Sequence, residues 1–135
     1  MIKHLLKNQH PFNLLPLLLL RVSFGGLFMY HGFDKLRLFD QYVAHFPDFL
    51  HIGSEVSLVL ALIAELVGGF LVALGLLTRL AVIPILITML FAFFGAHAHS
   101  PFEMKELPLV FLVIGTVIFL SGGGHLSVDK QIFNK

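Results

Sequence analysis

Apolar residues fall into four long runs, at about 14–33, 55–77, 80–97 and 103–121, separated by short polar or glycine-bearing breaks. At 1.5 Å of rise per residue, runs of about 20 residues match a bilayer core of roughly 30 Å. Within the runs the period is helical. In the second, Ala61, Glu65, Gly68, Val72 and Gly75 recur at spacings of four and three and share one face. That face is small apart from its carboxylate, while Leu60, Ile63, Phe70 and Leu77 put bulk on the other side. Small residues toward a neighbour and bulk toward lipid is the way helices pack in membranes. The first run repeats the device with Arg21, Gly25, Phe28, Gly32 and Lys35, and the third has Ala81, Ile85, Thr88, Ala92, Gly95 and His99 on one face.

The breaks set the connections. Between the first two runs, Phe39, Tyr42, Phe46 and Phe49 follow a three-four-three spacing that predicts a short amphipathic helix at the membrane surface, interrupted at Pro47. Phe39, Tyr42 and Phe46 read most simply as membrane anchors. Ser54 is placed to cap the second span, with Glu55 in its first turn. Gly75 to Arg79 leaves room only for a tight hairpin into the third span, whose Pro84 lies in the first turns. Ser100-Pro101-Phe102-Glu103 has the form of a capping box opening the fourth span. Pro108 is placed to kink that span, Gly122 to Gly124 to stop it, and the tail is short and polar. The reading is all-α: an antiparallel bundle of four transmembrane helices with an interfacial helix between the first two, in a single membrane domain over residues 1–135.

Composition agrees. The chain has 135 residues, 57% hydrophobic and 13% charged, where a soluble domain carries about 25% charged residues. A net charge of +1 without a basic run gives no support for nucleic-acid binding. Cysteine is absent, which excludes disulfides, thiol catalysis and Cys-ligated clusters in this chain. The N-terminal run resembles a signal peptide in outline. It carries Arg21, lacks an A-x-A site and continues to Tyr30, so it reads as a retained span. Lys3, Lys7, Arg79, Lys130 and Lys135 on the side of the termini outnumber Lys35, Arg37 and Lys105, which points to both termini in the cytoplasm.

Two constellations carry candidate chemistry. Counted back from Phe33, Arg21 lies roughly 18 Å deep; counted from Glu55, Glu65 lies roughly 15 Å deep. Opposite charges at similar depth on adjacent small-residue faces are expected partners, serving either helix register or the floor of a binding site. The second group, His31, Lys35, His97, His99 and Glu106, with Glu103 and Lys105, is expected to meet at the outer mouth of the bundle. The histidines read either as interfacial anchors or as a polar pocket for a small head group such as a quinone ring. Metal or haem ligation is the weaker reading: His97-x-His99 is not a helical i, i+4 pair, no HExxH or Cys accompanies it, and His31 with His97 is the only pair suited to a haem.

Leu20-Arg21 followed by His31-Gly32-x-x-Lys35 resembles the first span of the DoxX family. So do Glu65-x-x-Gly68-Gly69 with Gly75-x-x-Thr78-Arg79, a His at the end of the third span, Met104-Lys105-Glu106-Leu107, and Gly122-x-Gly124-x-x-Ser127-x-Asp129. The resemblance runs from Leu20 to Asp129, with Gly123 where relatives often have Pro, and either His97 or His99 fits the histidine of the third span. It implies a four-helix protein of the bacterial cytoplasmic membrane; some relatives are subunits or accessory proteins of redox systems, including a thiosulfate:quinone oxidoreductase. The function expected is an accessory or binding subunit for membrane redox chemistry, holding a lipophilic ligand such as a quinone at Arg21, His31, Lys35, Glu65, His97, His99 and Glu106, with no catalytic motif of its own. Its partners would be the lipid bilayer, a redox protein and further copies of the chain. The alternatives are a scaffold that docks other membrane proteins, and a metal-handling or small-solute transporter built on the histidines.

Overall fold

The computed structural model describes residues 14–133. Lys3, Lys7 and Lys135, which count toward the charge bias, lie outside the described residues. Among the described residues, four helices are long and apolar enough to cross a membrane: α1 (Leu15–Arg37), α3 (Ser54–Leu74), α4 (Thr78–Ala96) and α5 (Phe102–Ser121). Two short helices join them, α2 (Phe39–Val43) after α1 and α6 (Val128–Phe133) after α5. Each long helix buries only 17% to 44% of its apolar window against the rest of the protein, so most of its side chains face outward to acyl chains. The chain is a multi-pass membrane protein.

The helices form a ring in which α1 packs on α3, α3 on α4, α4 on α5 and α5 back on α1. Phe24, Phe28 and Phe111 interlock at its centre, with centroids 4.7 to 5.9 Å apart, surrounded by Val72, Val82, Ile85, Met89 and Ile118. The small-residue faces do what their spacing predicts. Gly25 and Gly69 meet backbone to backbone: a Cβ on Gly69 would stand 2.8 Å from the Gly25 carbonyl oxygen. Leu60, Ile63, Phe70 and Leu77 stay on the outside, each about half exposed.

Several local expectations change. The first helix runs one turn past Phe33 to Arg37, and its end is closed by the Leu38 N–H donating to the Asp34 carbonyl. Ser54 does not cap α3. The connection is tied instead by Asp48, which accepts from the N–H groups of Ile52 and Gly53, at 2.9 Å each, and from the Ser57 hydroxyl. These bonds hold the Asp48 carboxyl below its ordinary range, against the opposing effect of desolvation. The capping box before α5 does not form, because Pro101 occupies the cap position and no side chain bonds the first turn. The surface helix stops at Val43, short of Pro47. The tail contains α6, which its polar composition did not suggest.

Candidate functional site

The register of α1 on α3 decides which charges meet. A Cβ on Gly32 would stand 3.3 Å from the Glu65 Cβ, whereas Gly75 packs against the Arg21 guanidinium. Glu65 is therefore level with Gly32, and Arg21 with Gly75, about three turns or roughly 16 Å further along the bundle. The expected Arg21–Glu65 pair does not form. The depth count took Phe33 as the end of the first helix, and the added turn keeps Lys35 helical and close to Glu65.

Glu65 pairs with Lys35: Nζ stands 2.5 Å from Oε1, with the carboxylate side chain 1% exposed and the lysine 20%. The flexible four-carbon stem of lysine lets an ammonium near the helix end reach back toward the interior. The second carboxylate oxygen, Oε2, is buried with no hydrogen-bond partner among the described residues. Glu65 sits in a π-helical turn, Ala64–Gly68. Such turns recur at functional sites because the extra residue displaces side chains from the regular helical face. No compositional signal announces this turn, nor the second one at Ala92–Ala96 in α4.

Both π turns border a cavity of about 1290 Å³ between α3 and α4. Its wall is largely apolar, formed by Ala61, Gly68, Leu71, Ala81 and Ala92 among others. Lys35, Glu65, Tyr42, Thr88 and His97 are polar groups on its lining. Ile63, Val67 and Ile87 line it while remaining about half exposed on the outer surface of the bundle, so it opens sideways among acyl chains. The α1–α3 connection covers one end. There Phe49 stacks on Phe91, centroids 5.3 Å apart and rings 7° from parallel, over the space that Gly95 leaves by lacking a side chain. Tyr42 and Phe46, expected as anchors, line the cavity as well. The Tyr42 hydroxyl donates to Asp34 at 3.1 Å, and its pKa is raised by burial and by that carboxylate.

Of the seven candidate residues, Lys35, Glu65 and His97 line this cavity. His31 is one turn from Lys35 but turns to α5, where its ring meets Phe111 edge-on at 6.2 Å. α3 and α5 flank that face of α1, so neighbouring positions on it go to different helices. His99 and Glu106 are exposed and lie off the cavity lining. Glu103 is exposed too, and Lys105 donates to the Ala98 carbonyl at 2.8 Å, so the polar mouth does not assemble as expected. Among the described residues, no group of three or more His, Asp or Glu side chains is placed to hold a metal ion. Tyr42 and Thr88 were not expected in the site, because their spacing fits a membrane anchor and a packing face equally well.

Arg21 belongs to a second cluster at the other end of the bundle. Its guanidinium is buried and donates to the carbonyl of Gly123 and, at 2.7 Å, to that of Leu126. Gly75, left-handed at φ 74°, ends α3, and its carbonyl accepts from the Asp129 N–H at 2.8 Å. The Asp129 carboxylate caps α4, accepting from the N–H groups of Leu77 and Thr78 and from the Thr78 hydroxyl at 2.6, 3.0 and 2.8 Å. Burial alone would raise this carboxyl; the three donors and the Arg21 charge outweigh it and hold the pKa below its ordinary value.

The DoxX family model matches residues 16–98, which include α1, α3, α4 and both walls of the cavity. The chain belongs to the DoxX family. Among curated relatives, "Putative oxidoreductase CatD" of Bacillus subtilis is 31% identical over 117 residues, 86% of this chain and 86% of that protein. An uncharacterized protein of Haemophilus influenzae is 29% identical over 124 residues, 86% of this chain and 82% of the relative. No solved structure gives a significant match.

Proposed function

We propose that this DoxX protein is a binding subunit for membrane redox chemistry, holding a quinone-like lipophilic molecule in the α3–α4 cavity while a partner protein supplies the catalytic centre. The observation that carries this reading is a buried Lys35–Glu65 ion pair on the lining of an apolar cavity open to the membrane. Largely apolar cavities with a few convergent polar groups are the usual form of small-molecule sites, and ionisable residues inside a bilayer most often mark function. Lys35 would donate to a ring oxygen, His97 would approach from the end of α4, and an aliphatic tail would leave past Ile63 and Ile87. The name of the Bacillus relative supports the redox context. In a bacterial cytoplasmic membrane with both termini inside, the covered end of the cavity would face outward.

A solely structural role for the ion pair, in a scaffold for other membrane proteins, is the competing reading, because Lys35 and Glu65 already satisfy one another in part. Titration with decyl-ubiquinone in detergent separates the two. Saturable binding that Lys35→Met weakens, in protein that remains folded, supports the proposal. No binding of decyl-ubiquinone or of its reduced form, and no quinone in organic extracts of the purified protein, contradicts it.

A further inference from the structure

Resting on that reading, we infer that the cavity selects the reduced, hydroxyl-bearing form of its occupant over the oxidised, carbonyl-only form. The discriminating atom is Oε2 of Glu65, a buried acceptor without a donor. A carboxylate oxygen in an ion pair can only accept, and Glu65 lies on the cavity lining, so the occupant is the group placed to bring a donor to it. A quinol hydroxyl supplies the missing proton. A quinone carbonyl in the same place brings a second lone pair against the first.

The hydroxyls around the cavity point the same way, because their protons are already used. Thr88 donates to the Pro84 carbonyl at 2.9 Å, Tyr42 to Asp34 at 3.1 Å and Ser57 to Asp48 at 3.3 Å. What each has left to offer is lone pairs. The other polar groups on the lining favour neither form. The Lys35 ammonium and the Gln41 amide can each donate to a carbonyl or to a hydroxyl oxygen, and the His45 and His97 imidazoles can donate or accept. Sites built to hydrogen-bond a hydroxyl reject analogues that lack it, because the buried partner is then left unpaired.

Anaerobic titration of the purified protein with decyl-ubiquinol and with decyl-ubiquinone tests this. The quinol is expected to bind at least about tenfold more tightly. Glu65→Gln, which replaces one oxygen by an N–H donor, should shrink or reverse that ratio. The ratio in the unaltered protein decides the matter even if the variant does not fold. Equal affinities, or tighter binding of the quinone, would overturn the inference and leave the binding function standing. Binding of neither form would overturn both.

Discussion

Glu65 lies level with Gly32 across the α1–α3 contact, and the Cβ that Gly32 lacks would stand 3.3 Å from the Glu65 Cβ. This approach places the carboxylate beside Lys35 rather than Arg21 and puts the ion pair on the cavity lining. Truncating one partner leaves the other charge buried and uncompensated, which costs about 3–5 kcal/mol. Lys35→Met and Glu65→Leu should each lower the thermal midpoint sharply. The double variant should recover most of that loss and yet fail to bind quinol. Thermal unfolding and titration of the three variants check this, and a double variant that binds like the unaltered protein would remove the pair from the site.

The Gly25–Gly69 crossing makes a steric prediction with an internal control. A Cβ on Gly25 would stand 2.8 Å from the Ala73 nitrogen and closer still to the Gly69 carbonyl oxygen, whereas one on Gly26 meets nothing within 4 Å. Gly25→Ala should cost about 1–3 kcal/mol through overpacking. Gly26→Ala should be neutral or stabilise by up to about 1 kcal/mol through helix propensity. Unfolding of the two variants in the same detergent measures the contrast.

Much of this arrangement was legible from spacing. Spans, packing faces and outward bulk follow from the helical period, because in lipid small residues alone let backbones approach. The ion pairing was not legible. Helix faces give a direction around the axis but not the offset between two helices, and here the close approach of Gly25 and Gly69 sets that offset. Nor was the cavity. It depends on two π turns and on Phe49 crossing to Gly95, contacts between segments distant in sequence. The residues that carried the family resemblance divide between the ends of the bundle. Arg21, Gly75, Thr78, Ser127 and Asp129 build the end that ties down α6, and Lys35, Glu65 and Gly68 build the cavity.

Arg21 is therefore expected to act on the tail alone. Arg21→Met orphans the carbonyls of Gly123 and Leu126 and should cost about 3 kcal/mol in total. Hydrogen exchange should quicken in residues 123–133, while quinol affinity in the folded fraction stays unchanged. A loss of affinity with no change in exchange would place Arg21 back in the binding site.

Asp129 gives that end a defined pH dependence. Its folded pKa lies below the ordinary value of 3.8, so its contribution to stability is complete above that value. The contribution is lost as the pH falls from there through the lowered folded pKa. The difference in thermal midpoint between the unaltered protein and Asp129→Asn should be constant from pH 7 to about 5 and shrink below about 4. A difference that grows on acidification would contradict the capping role.

Native mass spectrometry of the protein, taken from its own membrane in lipid nanodiscs, asks most directly whether the α3–α4 cavity is a binding site. A lipophilic aromatic mass should be retained by the unaltered protein and by Arg21→Met, and lost from Ala92→Phe, whose ring fills the part of the cavity that Ala92 lines. An identical mass retained by Ala92→Phe, or none in the unaltered protein, would contradict the account.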